Sequence, residues 1–186
     1  MSKTFRYGLF FLVPLVILLD QWSKWLVLKT PQLNALSCLE GTARCGKIEI
    51  SSLFDISMVW NWGVSFGQMQ SDGIMRWVLV AFQLGIALGF GVWLLRAERR
   101  WTGIALALVI GGAIGNVTDR VRFGAVADFI DFSGPWFDLY VGKFKVGFPW
   151  VFNVADAAIS VGAVLLFIDQ FLMSRSESSA GTETET

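Results

Sequence analysis

Four stretches of this chain are each long and apolar enough to cross a bilayer, and nothing else in the sequence constrains the fold as much. They run from Tyr7 to about Leu28, from Met75 to Leu95, from Thr102 to about Thr118 and from Val154 to Met173. A membrane-spanning helix needs roughly 20 mostly apolar residues. The competing fold, a soluble bundle of buried helices, requires a polar face on each helix, and the second stretch has almost none. Only 16% of the residues are charged, against about 25% in an average soluble domain. The fold class expected is therefore a mainly α membrane protein. Lys3 and Arg6 ahead of the first stretch also suit a cleaved signal peptide, but Asp20 and Lys24 interrupt the place where a small-residue cleavage site belongs, so the segment reads as retained.

Basic residues in short flanks orient such a protein. Lys3 and Arg6 precede the first helix, Arg96, Arg99 and Arg100 fill the turn between the second and third, and Arg175 follows the fourth. These flanks share one side, which is then cytoplasmic, with both chain ends. The two outer connections, about 29–74 and 121–152, hold sparser basic residues among acids. In them, "KIEISSLFDISMVWNWGVSFG" and "FDLYVGKFKVGFPWVF" alternate and are rich in β-branched and aromatic residues, so a small β-sheet is expected on the outer face. Their aromatic faces, with Trp60, Trp62, Phe66, Phe148 and Trp150, suit the membrane surface. Residues 1–173 then form a single membrane domain, and the polar 174–186 reads as a disordered tail. Gly85 with Gly89, and Gly111 with Gly115, have the spacing that lets membrane helices approach closely, which places the third helix among the others. Cys38 and Cys45 share the first outer loop, where a disulfide and two free thiols are both open.

Ionisable groups within a membrane point to function by default. Asp20 and Lys24 share a face at the outer end of the first helix. Gly112, Asn116 and Arg120 share a face at the outer end of the third, with Asp119 on another. Asp128 follows in "AVADFIDF", and the fourth helix starts its inward run at "FNVAD". Taken singly, each has a structural explanation. Asn153 and Asp156 form a helix cap, and Asp20 with Lys24, or Asp119 with Arg120, form ion pairs. Together they converge at one depth, which four separate structural needs do not explain.

The chain has no histidine and zero net charge. That excludes Ser-His-Asp and Cys-His chemistry, and leaves no basic footprint for nucleic acid. Lys24 with Ser23 or Ser65 has no supporting spacing, and carboxylates alone make a poor metal site, so no cofactor is expected. What remains is two aspartates sharing one proton, one activating water and the other protonating a carbonyl oxygen. Asp128 and Asp156 are the natural pair. Asp131, three residues after Asp128, is a near decoy.

"DQWSK" (20–24), "NWGVSF" (61–66), "GGAIGNVTDR" (111–120), "VADFIDF" (126–132) and "FNVADAAI" (152–159) resemble, in order, the motif blocks of bacterial lipoprotein signal peptidase, signal peptidase II. The resemblance implies an aspartic endopeptidase of the bacterial inner membrane, active on the periplasmic side. It would remove the signal peptide of diacylglyceryl-modified prolipoproteins just before the lipidated cysteine, and globomycin would inhibit it. It implies Asp128 and Asp156 as the catalytic dyad, with Asn61, Asn116, Arg120 and Asn153 holding substrate and orienting the acids. Asp20, Lys24, Gly63, Phe66 and Asp119 support the site. A monomer is expected, with membrane lipid and prolipoprotein as partners. The stretches 30–55 and 134–149 are longer than the family pattern and touch no motif. The rival from another class is a proton-coupled transporter or scaffold, with Asp20, Asp128 and Asp156 as a relay and Asp169 the one acid on an inward path. A presenilin-type protease would need a G-x-G-D motif that the chain lacks.

Overall fold

The computed structural model describes residues 3–39, 44–51, 54–63, 73–132, 139–141, 144–146 and 151–182. Four helices dominate: α1 (Lys3–Leu28), α2 (Ile74–Arg96), α3 (Arg100–Phe123) and α4 (Val154–Thr182). Each contains a segment long and apolar enough to cross a membrane. The third and fourth differ from their expected ends in instructive ways. α3 carries on past Thr118 for more than a turn, so Asp119 and Arg120 belong to the helix itself. It stops at Gly124, whose φ of 84° is left-handed and whose N–H closes on the Arg120 carbonyl at 3.1 Å. α4 continues beyond its apolar span, which ends at Leu172, to Thr182. The backbone there is helical where composition suggested a tail without structure. Extending an existing helix adds one hydrogen bond per residue and avoids the cost of nucleation.

The bundle is built around α3. Its span is 72% buried, against 22% for α1 and 17% each for α2 and α4. Small residues make that position possible. A Cβ on Gly111 would lie 2.7 Å from Val16 Cβ of α1, and one on Gly112 would lie 2.8 Å from Ile159 Cγ1 of α4. Gly162 of α4 returns the contact against Val109 and Leu108. The other glycine pair behaves differently: nothing lies within 4 Å of a Cβ on Gly85 or Gly89. α2 presents Val80, Ala87 and Leu94 to the core, and the two glycines face away from it. Spacing alone could not tell a packing face from an outer one.

At one end of the bundle sits a four-stranded antiparallel sheet in the order β1 (Arg44–Glu49), β2 (Asp55–Asn61), β3 (Val126–Asp131), then a later strand. β4 (Leu139–Val141) and β5 (Phe144–Val146) form a separate hairpin, and β6 (Val151–Phe152) completes the larger sheet beside β3. The sheet packs on the last turns of α1 and α3 and the first turn of α4, and Arg76 in the first turn of α2 bonds the last turn of α3, so all of these meet at one level. β3 was not expected as a strand. Its two faces are both buried, so "VADFID" lacks the alternation of a half-exposed strand.

Register divides the sheet into two faces. Val59 pairs with Asp128, Trp60 with Ala127 and Asn61 with Val126. Around this pairing Asn61 and Asp128 are brought to one face, where their side chains bond, and Trp60 and Ala127 pack on the other. On that second face Trp60, Ala127 and Phe129 pack with Val27, Leu33, Ala35 and Met58. Trp60 is only 1% exposed, and its indole N–H donates to the Ala35 carbonyl at 2.7 Å. The expectation that Trp60 lies on the membrane surface is thus corrected: it anchors the core beneath the sheet. Trp62 is half-buried against the same cluster, while Phe66, Phe148 and Trp150 lie outside the described residues. Cys38 and Cys45 are joined as a disulfide, their Cα atoms 5.8 Å apart, closing the segment between Leu33 and β1.

Candidate active site

The head of α4 is a reciprocal cap. Asp156 N–H donates to Asn153 Oδ1 at 2.9 Å, and Asn153 N–H donates to Asp156 Oδ2 at 3.3 Å. The next orphan donor, Ala155 N–H, is taken by Asp20 Oδ1 from α1 at 2.9 Å. The capping explanation of "FNVAD" therefore holds, and it also fixes where the Asp156 carboxylate stands. One set of bonds does both jobs.

β3 brings Asp128 to this cap. Its Oδ1 accepts from Asn153 Nδ2 at 2.7 Å and its Oδ2 from Asn61 Nδ2 at 3.0 Å. Asp156 Oδ1 accepts from Asn116 Nδ2 of α3 at 2.8 Å. Each carboxyl is thus held at both oxygens by neutral N–H donors, and no cation is bonded to either among the described residues. Asp128 is 2% exposed. Burial pushes its affinity for a proton up from the ordinary carboxylate value to about 7, and the neighbouring Asp156 charge pushes in the same direction.

The amides are themselves held in one orientation. Gly63 N–H donates to Asn61 Oδ1 at 2.8 Å, turning the Asn61 amino group toward Asp128. Gly63 has a φ of 85°, and a Cβ there would meet Leu79 Cδ1 at 2.5 Å, so the position needs glycine. Asn116 Oδ1 accepts from Lys24 Nζ at 3.3 Å and Asn153 Nδ2 at 3.2 Å, leaving its amino group for Asp156.

Behind the amides, Lys24 bonds Asp20 and Asp119, each at 2.8 Å, and all three side chains are buried. With Asn116 as the third acceptor, its three N–H donors are all used. Asp119 also accepts from Ala127 N–H of β3 at 3.2 Å, which ties the strand to α3. The Asp119–Arg120 ion pair considered from sequence does not form. Arg120 instead donates to Gln83 Oε1 of α2 at 3.0 Å, lies beside Gly63, and has an Nε without a partner among the described residues. Asp131 sits an odd number of residues from Asp128 along β3, opposite Asp55 of β2, and so on the other face.

Asp20, Lys24, Asn61, Gly63, Asn116, Asp119, Arg120, Asp128, Asn153 and Asp156 thus gather in one cluster, and Phe66 lies outside the described residues. Sequence reasoning passed over two members. Gln21 donates to Asp119 Oδ1 at 2.9 Å and to the Gly115 carbonyl at 3.2 Å. Gln83 was available as the one amide side chain in the second span, Met75 to Leu95, seven residues inside its only other polar side chain, Arg76. A polar residue at membrane depth was signal enough.

The fold and cluster define a class: a multi-pass membrane protein whose amide-held carboxyl pair, with Asp128 buried, suits hydrolysis. The sequence profile described as signal peptidase (SPase) II matches residues 12–172. A lipoprotein signal peptidase of Sphingopyxis alaskensis is 37% identical over 92% of this chain and 89% of its own length. Those of Rhizorhabdus wittichii and Caulobacter vibrioides are 40% and 42% identical, covering 86% and 69% of this chain and 83% and 70% of their own lengths. Two solved bacterial membrane enzymes, at 2.3 and 1.9 Å resolution, share the fold with TM-scores of 0.67 and 0.65. They are 20% and 22% identical, the first covering 90% of this chain and 89% of its own, the second 88% and 92%. The chain belongs to the signal peptidase II family.

Proposed function

We propose that this protein is an aspartic endopeptidase that removes the signal peptide from diacylglyceryl-modified prolipoproteins, cutting just before the lipidated cysteine. The observation that carries the reading is the meeting of Asp128 and Asp156, from different elements, with neutral donors on all four oxygens and burial raising the proton affinity of Asp128. In the working state the pair shares one proton, and burial favours its residence on Asp128. Asp156 takes a proton from a water whose oxygen attacks the scissile carbonyl carbon, while Asp128 gives its proton to the carbonyl oxygen. The tetrahedral intermediate then collapses. The C–N bond breaks, Asp156 protonates the departing cysteine amine, and the hydroxyl proton returns to Asp128.

Asn61, Asn116, Arg120 and Asn153 orient the acids and bind the extended substrate backbone, which lipid cannot satisfy. Asp20, Lys24, Gly63, Phe66 and Asp119 support them. The protein works as a monomer in the bacterial inner membrane, with both termini cytoplasmic and the sheet end periplasmic. A substrate anchored by its signal helix and acyl chains arrives with its scissile bond already at the depth of the dyad. Globomycin inhibits by occupying the dyad.

The deciding experiment is a gel-shift cleavage assay on a diacylglyceryl prolipoprotein in detergent, with and without globomycin. Wild type should cut and be blocked. Asp128→Asn and Asp156→Asn should remain folded and lose activity by at least about 10³-fold, the scale of losing a group that acts in the transition state. Cleavage by either variant at the wild-type rate would remove the dyad.

A further inference from the structure

The end of the bundle that carries the site also carries a set of cations parked on aromatic rings. Lys29 Nζ lies 4.2 Å from the centre of the Trp25 ring, just past the end of α1. Arg76 lies 4.9 Å over Trp77 in the first turn of α2, and Arg122 lies 4.8 Å over Phe123 in the last turn of α3. Three helices thus each place one cation–aromatic pair at a single level. The opposite end has one such pair among the described residues, Arg100 over Phe5.

The tryptophans are the lipid-facing part of this arrangement, with Trp25 48% and Trp77 53% exposed. Tryptophan favours the headgroup boundary, so these rings set the depth of the charges they support. The arginines are also held from inside: Arg76 donates to the Val121 carbonyl in the last turn of α3, and Arg122 donates to Gln21 Oε1 at 3.3 Å. These bonds tether the two guanidinium groups to the helix ends at the boundary. The acids nearest in sequence on α1 and α3, Asp20 and Asp119, are buried and committed to Lys24, so they do not neutralise the collar.

We infer that Lys29, Arg76 and Arg122 form a headgroup collar that binds anionic phospholipid around the mouth of the site. The occupant is a diacyl lipid with a negative phosphate headgroup. Its acyl chains lie against the exposed apolar faces of α1 and α2, and its phosphate meets the cations. The collar rests on the membrane geometry alone and stands whether or not the protein is a peptidase.

The tryptophans beneath two of the cations report on it in a protein whose Trp93 and Trp101, the exposed tryptophans beside the arginines of the opposite end, are changed to Phe. The protein is placed in vesicles of mixed phosphatidylcholine and phosphatidylglycerol, with brominated, fluorescence-quenching acyl chains on one lipid or the other. Quenching should be stronger when phosphatidylglycerol carries the bromine, corresponding to about fivefold enrichment for each headgroup held by a cation. The preference should shrink as salt is raised. It should disappear in Lys29→Gln/Arg76→Gln/Arg122→Gln and persist in Arg76→Lys/Arg122→Lys, which keeps the charges. Lys29→Gln alone, at an exposed position just past α1, should weaken it in a protein whose packing is undisturbed. Equal quenching by the two lipids in wild type would overturn the collar. So would a preference that survives in a folded triple glutamine variant.

Discussion

Asp169 and Asp128 are both almost fully buried, 3% and 2% exposed, at opposite ends of one bundle, and they keep different company. Asp169 faces the α2–α3 turn. It pairs with Arg99 at 2.9 Å, accepts from the Thr102 hydroxyl, and its backbone carbonyl takes a second Arg99 donor at 3.3 Å. One acid meets one cation and one hydroxyl, and nothing is left over. Asp128 meets two amides and another acid. A balanced buried ion pair is a clamp that resists change of charge. A carboxyl held only by neutral donors keeps its geometry while its proton comes and goes. Burial at membrane depth is therefore not itself the mark of chemistry, and Asp169, as a clamp, gives a proton relay across the bundle no inner step.

The largest effect that separates the two ends is on folding. Lys24 is the single buried cation between Asp20 and Asp119, so Lys24→Met strands two carboxylates. Removing one partner of a buried pair costs about 3–5 kcal/mol. Asp169→Asn should cost only about 1 kcal/mol, because Arg99 is 41% exposed and can turn to solvent while Thr102 keeps a partner. Thermal unfolding in detergent should show Lys24→Met failing to accumulate or melting far below wild type. Asp169→Asn should melt slightly early with unchanged activity per folded molecule. Equal losses would mean that the two clusters are energetically alike.

Asn153 sharpens the comparison within the site, since it caps α4 and bonds Asp128 at once. Asn153→Ala should lower kcat/KM about 100-fold, as for loss of a positioning hydrogen bond, and cost about 1 kcal/mol for the cap. Asn153→Ser restores the cap acceptor without the amino group. Its stability should recover and its rate should not. If the rate recovers too, the bond from Asn153 to Asp128 is not what matters.

Titration should distinguish the ends next. Asp128 holds its proton up to about pH 7 because burial, then Asp156, disfavours its charge. If it is the acid, kcat/KM should fall about tenfold per pH unit above that point. The stability sign is opposite to that of an ordinary salt-bridged carboxylate. The folded state binds the proton more tightly than the unfolded one, so stability falls as pH rises from about 4 to about 7 and then levels. Asp128→Asn should flatten that slope, whereas Asp169→Asn should leave it in place. A wild-type rate that climbs steadily to pH 9 would assign the proton elsewhere.

The helices and the cluster could be read from sequence because each rests on local chemistry. Apolar length declares a span, and Asp20, Lys24, Asn116 and Asp156 declare themselves by being polar at its end. What could not be read depends on which faces meet. Trp60 looked like a surface aromatic, but the pairing of β2 with β3 turns it inward against Leu33 and Ala35. β3 hid because both of its faces are covered. Gly85 and Gly111 look alike in the sequence and differ only in having a neighbour. Gln83 could be seen as polar, but its role could not be read, because its partner, Arg120, lies 37 residues away on another helix.

Within the sheet end, the smallest expected effect on cleavage lies at its edge. The disulfide between Cys38 and Cys45 closes a short loop with a sequence separation of 7. Chain-entropy arguments give such loops about 2–3 kcal/mol, yet the loop borders β1, and β2 stands between that strand and the one carrying Asp128. Core contacts hold the segment independently: Leu33 and Ala35 are buried, and the Ala35 carbonyl is fixed by Trp60. Cys38→Ser should therefore lower the melting temperature by roughly 5–10 °C and leave cleavage within about twofold of wild type. A loss of activity beyond about tenfold, at a temperature where the variant is still folded, would place the outer loop in the path of the substrate. The working end of the molecule would then extend past the amide-held acids to the edge strand itself.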